Sequence, residues 1–275
     1  MSQSTLGHPE SHSARYFALL YSAPTQHAIL ESLLKIEREI LESLRPGLDH
    51  HVAHSRLQWW REECERTAAG QPIHPLTRTL VDTLTSGSAV GSPALTGLSG
   101  FVDVATWDLA GATFETRREL NAYCGRWSAA MSVGLAPEDW IPVGAAIREI
   151  ELLGDLAREA HYGRVRLPLD ELDGAGAEPG VLAKPPWPEG VAELLRARYQ
   201  ALRGEMISGL IRLDREQQPA LRGLLVWAAL AIRGSQRAEG ALPDGWRPGK
   251  FDAISDAWFA WRIARQATTK RLRLT

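Results

Sequence analysis

The stretch "ELLGDLAREAHYGRVRLPLDEL", residues 151–172, decides how the chain is read. It carries Asp155 and Glu159 one helical turn apart, then a short basic segment, then Leu-Pro and an acidic stop. Residues at i and i+4 share a helix face. Two carboxylates placed so can hold Mg²⁺, a hard cation that keeps several waters and bridges to substrate phosphates. The alternative is an acidic pair on a wet surface. Arg148, Glu151 and Arg158 lie near the same polar side and suit that alternative.

Outward from this stretch, helical periodicity dominates. Ile29, Leu33, Ile36, Ile40 and Leu44 recur at spacings of three and four, bracketed by Pro24 and Pro46. "HSRLQWWREECERTAAG" (54–70) reads as a second helix, and "HPLTRTLVDTL" (74–84) starts a third just after Pro75. "GSAVGSPALTG" (87–97) is a Gly/Ser/Pro linker. "LSGFVDVATWDL" and "TRRELNAYCGRWSAAMSVGL" follow as a helical pair, and Pro137 and Pro142 precede the helix carrying Asp155. Residues 167–190 are rich in Gly and Pro and predict a long surface loop with little regular structure. Three more helical segments complete the chain. No period-two β pattern and no fixed-period repeat occurs. The expectation is an all-α protein of about ten helices: a flexible lead-in over 1–13, then one helical domain over 14–275.

Composition bounds the function. Of 275 residues, 44% are apolar and 23% charged, the balance of a globular protein that can bury a large core. The formal net charge of -2 gives no field that favours nucleic acid. Cys64 and Cys124 lie far apart with no metal-ligand spacing, and a reduced compartment is the simplest reading. The longest apolar run, "LLVWAALAI" (224–232), is too short to span a bilayer and predicts a buried core helix. The first residues lack the pattern of a signal peptide.

Several polar groups stand out. Glu37 falls inside the apolar arc of its helix, where a carboxylate needs a partner, a metal or a shifted pKa. Glu39 and Glu42 face solvent instead. Trp59 and Trp60 point about 100° apart, so one is expected in the core and the other in an inter-helix contact. Asp103 and Asp108 are five apart, the wrong spacing for one face. Arg117 and Arg118 read as a solvated surface or a phosphate contact. His50 and His54 have zinc-chelating spacing but no metalloprotease glutamate beside them.

Taken in order, "DLAGATFETRRELNAYC" (108–124) and "GAAIREIELLGDLAREAHYGRVRLPLDEL" (144–172) resemble the squalene/phytoene synthase family. The matching residues are Asp108, Leu109, Phe114, Glu119, Leu120, Tyr123, Cys124, Asp155, Glu159, Gly163, Arg164, Leu167 and Pro168. The similarity covers roughly residues 14–172. It implies the all-α isoprenoid (terpenoid) synthase fold, a helical bundle around a central cavity. In active members, two aspartate-rich helices hold Mg²⁺, which grips a prenyl diphosphate whose cation is joined head-to-head to a second prenyl chain. By that resemblance the metal candidates are Asp155, Glu159 and Glu39, and the diphosphate-binding candidates are Arg148, Arg164 and Arg166. Catalytic candidates are Asp155, Glu159 and Glu37.

The pattern also departs from the family. The second motif survives only as Asp155-x-x-x-Glu159, preceded by Arg148, Glu151 and Gly154 where the family has Gln, Asn and Arg. Arg166 replaces the usual Tyr. The first motif should lie in "KIEREILES" (35–43), yet either register pairs a carboxylate with Arg38 or Ser43. "LLKIEREI", "RLQWWREE" and "HPL" look closer to a divergent branch that includes mitochondrial complex I assembly factors. The expectation is a catalytically degenerate member that binds a prenyl diphosphate or lipid in its cavity, or serves as an assembly or interaction protein. The alternative is an active Mg²⁺-dependent prenyltransferase. The expected location is cytoplasmic, with peripheral contact at the inner membrane face and no transmembrane segment.

Overall fold

The structure is a computed structural model that describes residues 12–86, 92–247, 249 and 251–272. The lead-in up to residue 11, the first half of the 87–97 linker and the last three residues lie outside the described residues. The described residues form twelve α-helices and no strand.

The first half of the chain builds one wall of the bundle. Helix α1 (Ala14–Tyr21) starts where the Ser13 hydroxyl accepts the Tyr16 N–H, at 3.1 Å. Pro24 occupies the first turn of α2 (Pro24–Leu41), where its missing N–H costs nothing. Asp49 caps α3 (His50–Ala68) by accepting the His51 N–H at 2.8 Å. Then follow α4 (Pro75–Ser86), α5 (Gly100–Ala110) and α6 (Arg117–Met131).

The second half wraps around a central helix. In order come α7 (Ile141–Gly154), α8 (Leu156–His161), α9 (Leu169–Gly174), α10 (Glu189–Arg212), α11 (Gln218–Gly240) and α12 (Asp252–Thr268). Helix α11 contains the predicted apolar run, and every residue from Leu224 to Ala231 is buried. A helix apolar on all sides belongs in a core. It packs against α1, α2, α7, α10 and α12, while α6 lies against α5 and α7.

Two contacts bring backbones unusually close. A Cβ on Gly223 of α11 would sit 2.1 Å from Ser22 Oγ and 2.5 Å from Ala18 O of α1. A Cβ on Gly100 of α5 would sit 2.1 Å from Arg126 O of α6. Arg222 then ties the α1 end to α11 by donating to Tyr21 O at 2.6 Å and Ser22 O at 3.2 Å. Gly223→Ala should push α1 off α11 and cost about 1–3 kcal/mol, read as a lower urea midpoint at unchanged slope.

The 167–190 segment departs from its expectation. It carries α9 and a 3₁₀ turn at Pro179–Ala183, and it buries Leu167, Leu172, Leu182 and Trp187. Its Gly and Pro residues punctuate short helices pinned by apolar anchors.

Candidate functional site

Glu37 points at an arginine. Its side chain is 6% exposed; Oε2 accepts from Arg15 at 2.6 Å and Oε1 accepts from the Trp127 indole N–H at 2.6 Å. Arg15 stands in the first turn of α1, so α1 delivers a guanidinium to the acid that α2 carries on its apolar stripe. The same guanidinium forks onto Glu151 of α7, with Nε and Nη2 at 3.1 and 2.8 Å from its two oxygens. It also lies 5.4 Å from the ring centres of both Trp127 and Trp227.

From Glu151 the polar contacts continue across the bundle. Arg148, one turn earlier on α7, donates to Glu151 at 3.3 Å and to the Tyr123 hydroxyl at 3.5 Å. Tyr123 donates to Asp108 at 3.0 Å. The other Asp108 oxygen accepts from Arg166 at 2.6 Å. Arg166 spans on to Glu159 at 3.0 Å, and Arg164 stands 3.7 Å from the same carboxylate. Beside this chain, Asp155 pairs with Arg158 at 2.6 Å. Acids and guanidiniums therefore alternate from α2 to α8, with the Tyr123 hydroxyl between Arg148 and Asp108, and each acid has a cation of the same chain beside it.

Protonation follows this pattern. Burial works against the charge on Arg15, but Glu151 and Glu37 outweigh it and hold the group above its ordinary value. Burial would raise Glu151, yet Arg15 and Arg148 pull it below the usual carboxylate range. Tyr123 is pushed up to about 12, first by burial. Asp155 is raised, first by its partial burial, with Arg158 opposing.

A second buried knot lies alongside. Glu149 of α7 receives two bonds from Arg198 of α10, both at 2.6 Å, and one from Arg117 of α6 at 2.5 Å. Arg117 also pairs with Glu171 of α9. Arg117 is thus a structural tie and not a solvated cation.

The structure brings most of the sequence-predicted residues together: Glu37, Arg148, Asp155, Glu159, Arg164 and Arg166 lie along or beside this chain of contacts. Glu39 is the exception. It is exposed on the far side of α2 and joins none of these contacts. The helix expected to carry both Asp155 and Glu159 pauses at Asp155, between α7 and α8, although Glu159 N still donates to Asp155 O at 2.9 Å. The Asp155 side chain is 47% exposed, so the two carboxylates sit in different surroundings. Arg15 and Trp127 were not foreseen. Neither carries a local signal, because their partners come from distant parts of the chain.

At Glu159 and Asp155 the arginines engage one oxygen of each carboxylate, Oε2 and Oδ2. Among the described residues, no three His, Cys, Asp or Glu side chains converge as a metal site. The residues present do not fit Mg²⁺ as they stand. The core beside Trp127 and Trp227 holds a cavity of about 10 Å³, space for roughly one water. Cys64 and Cys124 are free and buried, and burial pushes the Cys64 thiol up to about 12.

Comparison with known proteins gives the class first. The chain superposes on a dehydrosqualene synthase, solved in complex with ligand, with a TM-score of 0.74 over 93% of this chain and 92% of that one, at 13% identity. The squalene synthase HpnC from Alicyclobacillus acidocaldarius gives a TM-score of 0.66 over 84% and 89%, at 16% identity. The bundle is the all-α isoprenoid synthase fold. In sequence, the chain is 30% identical over 139 residues to a phytoene synthase from Arthrospira platensis, covering 42% of this chain and 44% of that protein's length. The chain thus resembles a phytoene synthase over less than half of its length, and shares its fold with a dehydrosqualene synthase and a squalene synthase. No protein-family model matches the chain.

Proposed function

We propose that this chain is a catalytically degenerate squalene/phytoene synthase-like protein whose polar centre has become a structural ion-pair chain. One observation carries the reading: four acids of the site, Glu37, Asp108, Asp155 and Glu159, are each engaged by a guanidinium of the same chain. Arg15 holds Glu37, Arg166 holds Asp108 and Glu159, and Arg158 holds Asp155. Freeing a buried carboxylate strands its arginine, which costs several kcal/mol per ion. The role left to the bundle is recognition of an isoprenoid lipid or of a partner protein, as in the assembly-factor branch that the motifs resemble.

The test is purified protein with farnesyl diphosphate, with and without Mg²⁺. We expect no diphosphate release above a protein-free control; Mg²⁺-dependent release overturns the reading. Calorimetry with a non-hydrolysable farnesyl diphosphate analogue then separates the two roles. Binding without a Mg²⁺ effect supports a lipid site, and no binding supports a protein partner.

One observation favours the active alternative. Arg148, Arg164 and Arg166 lie near Asp155 and Glu159, and the buried Arg148 Nε–H has no partner. Guanidiniums that swung onto an arriving diphosphate would release those acids. That reading requires Asp155→Asn to abolish turnover. Under the degenerate reading, Asp155→Asn shifts stability by less than about 0.5 kcal/mol in a denaturant titration, because the residue is half-exposed and its partner sits in water.

A further inference from the structure

Four large exposed apolar side chains gather on one helix. Phe251, Ile254, Trp258 and Trp261 follow one another at spacings of three, four and three on and just before α12, and are 78, 69, 58 and 46% exposed. That spacing puts them on one stripe. The opposite stripe of Ala260, Ile263, Ala264 and Ala267 is buried, with α12 packed on α11. A contiguous exposed apolar patch of this kind marks an interaction surface.

Charge is sorted around the stripe. The two acids of α12, Asp252 and Asp256, turn towards α11 and pair with Arg237 and Arg233. The cations face the other way. Arg262 lies 5.0 Å from the Trp258 ring and Arg265 lies 5.5 Å from the Trp261 ring, both exposed. Together with Arg271 they line an open groove of about 410 Å³ beside Trp261. The outward face is therefore apolar and aromatic at its centre and cationic at its rim, with the carboxylates of its own helix held back.

We propose that α12 is a membrane-docking surface that seats the protein on an anionic lipid bilayer. Tryptophan settles at the boundary between headgroups and acyl chains, where its ring is dry and its N–H wet. Arginine stacked on such rings keeps its stem in the apolar layer and its head at the phosphates. A helix of this type lies in the plane of the interface. None of the described helices is long and apolar enough to cross a membrane, so α12 accounts for attachment without a span.

The experiment is flotation of the full chain with vesicles of phosphatidylcholine alone and of phosphatidylcholine mixed with phosphatidylglycerol. Wild type is compared with Trp258→Ser/Trp261→Ser and with Arg262→Glu/Arg265→Glu. All four side chains are exposed, so both variants should melt with the wild type, and circular dichroism verifies that. The expected result is binding to the anionic vesicles alone, weakened roughly tenfold or more by either pair of changes. Absence of binding, equal binding to both vesicle types, or variants that bind as wild type each overturn the proposal. A concentration-dependent dimer that both variants abolish, without vesicle binding, would make the face a contact between copies instead.

Discussion

Arg15→Ala should lower the free energy of unfolding by about 3–5 kcal/mol, one of the largest single effects in the molecule. The guanidinium is the shared cation of two acids, Glu37 on α2 and Glu151 on α7. Removing it leaves the buried Glu37 without its ion-pair partner, hydrogen-bonded by the Trp127 N–H, and leaves Glu151 to Arg148. Three helices lose their common tie at once. A second substitution separates charge from shape. Glu37→Gln keeps a carbonyl oxygen for the Trp127 indole and removes the stranded charge, so Arg15→Ala/Glu37→Gln should recover part of the loss. The double-mutant cycle should show a coupling of about 1–3 kcal/mol. A loss of under about 1 kcal/mol for Arg15→Ala would mean that the pair behaves like an exposed one, and the structural-chain reading would fail.

Glu63→Ala should cost a similar amount, about 3–5 kcal/mol, for a different reason. Glu63 is fully buried in α3. Its Oε1 accepts the Ile73 and His74 N–H groups, both at 2.9 Å, and the Thr77 hydroxyl at 2.5 Å; Oε2 takes Arg66 at 3.0 Å. This one carboxylate ties the turn between α3 and α4, and alanine leaves the Ile73 and His74 N–H groups and the Arg66 guanidinium without it in a partly buried place. Burial alone would raise its pKa, but the bonds from Thr77, His74, Arg66 and Ile73 bring it below the ordinary 4.5. Glu151 is lowered too. A depressed folded pKa means that the unfolded chain binds the proton first. The stability from both groups is therefore complete above about pH 4.5 and is lost as pH falls through their lowered folded values. Urea titrations across that range should show a decline in wild type and a shallower one in Glu63→Ala. Asp155, raised in the folded state, works in the opposite sense, and its exposure keeps that contribution small.

The helices were legible in the sequence where local physics sets them. Pro24 opens α2, which ends at Leu41 in a 3₁₀ turn ahead of Pro46 and so earlier than the apolar spacing out to Leu44 suggested, and the apolar run at 224–232 predicted the central α11. Glu37 was legible as an anomaly, because a carboxylate inside an apolar arc demands a partner. The identity of that partner was not legible. Arg15 is 22 residues away from Glu37 and 136 from Glu151, and the packing of α1 against α11 and α2 brings it there. The pause at Asp155 was missed because Asp155-x-x-x-Glu159 keeps helical spacing across it. The 167–190 segment misled for a related reason. Gly and Pro dominate its composition, while its four buried anchors lie too irregularly to register as a pattern.

The alternating chain of acids and guanidiniums also constrains which substitutions the molecule tolerates. Its members come from α1, α2, α5, α6, α7, α8 and the segment after α8, and most answer to two neighbours. Replacing one of its buried arginines strands a buried acid, at a cost of about 3–5 kcal/mol from a total stability of about 5–15. A change at one member is therefore tolerated best when its neighbour changes with it. Sequence drift is confined to helix surfaces and loops, and at the polar centre substitutions are expected in pairs.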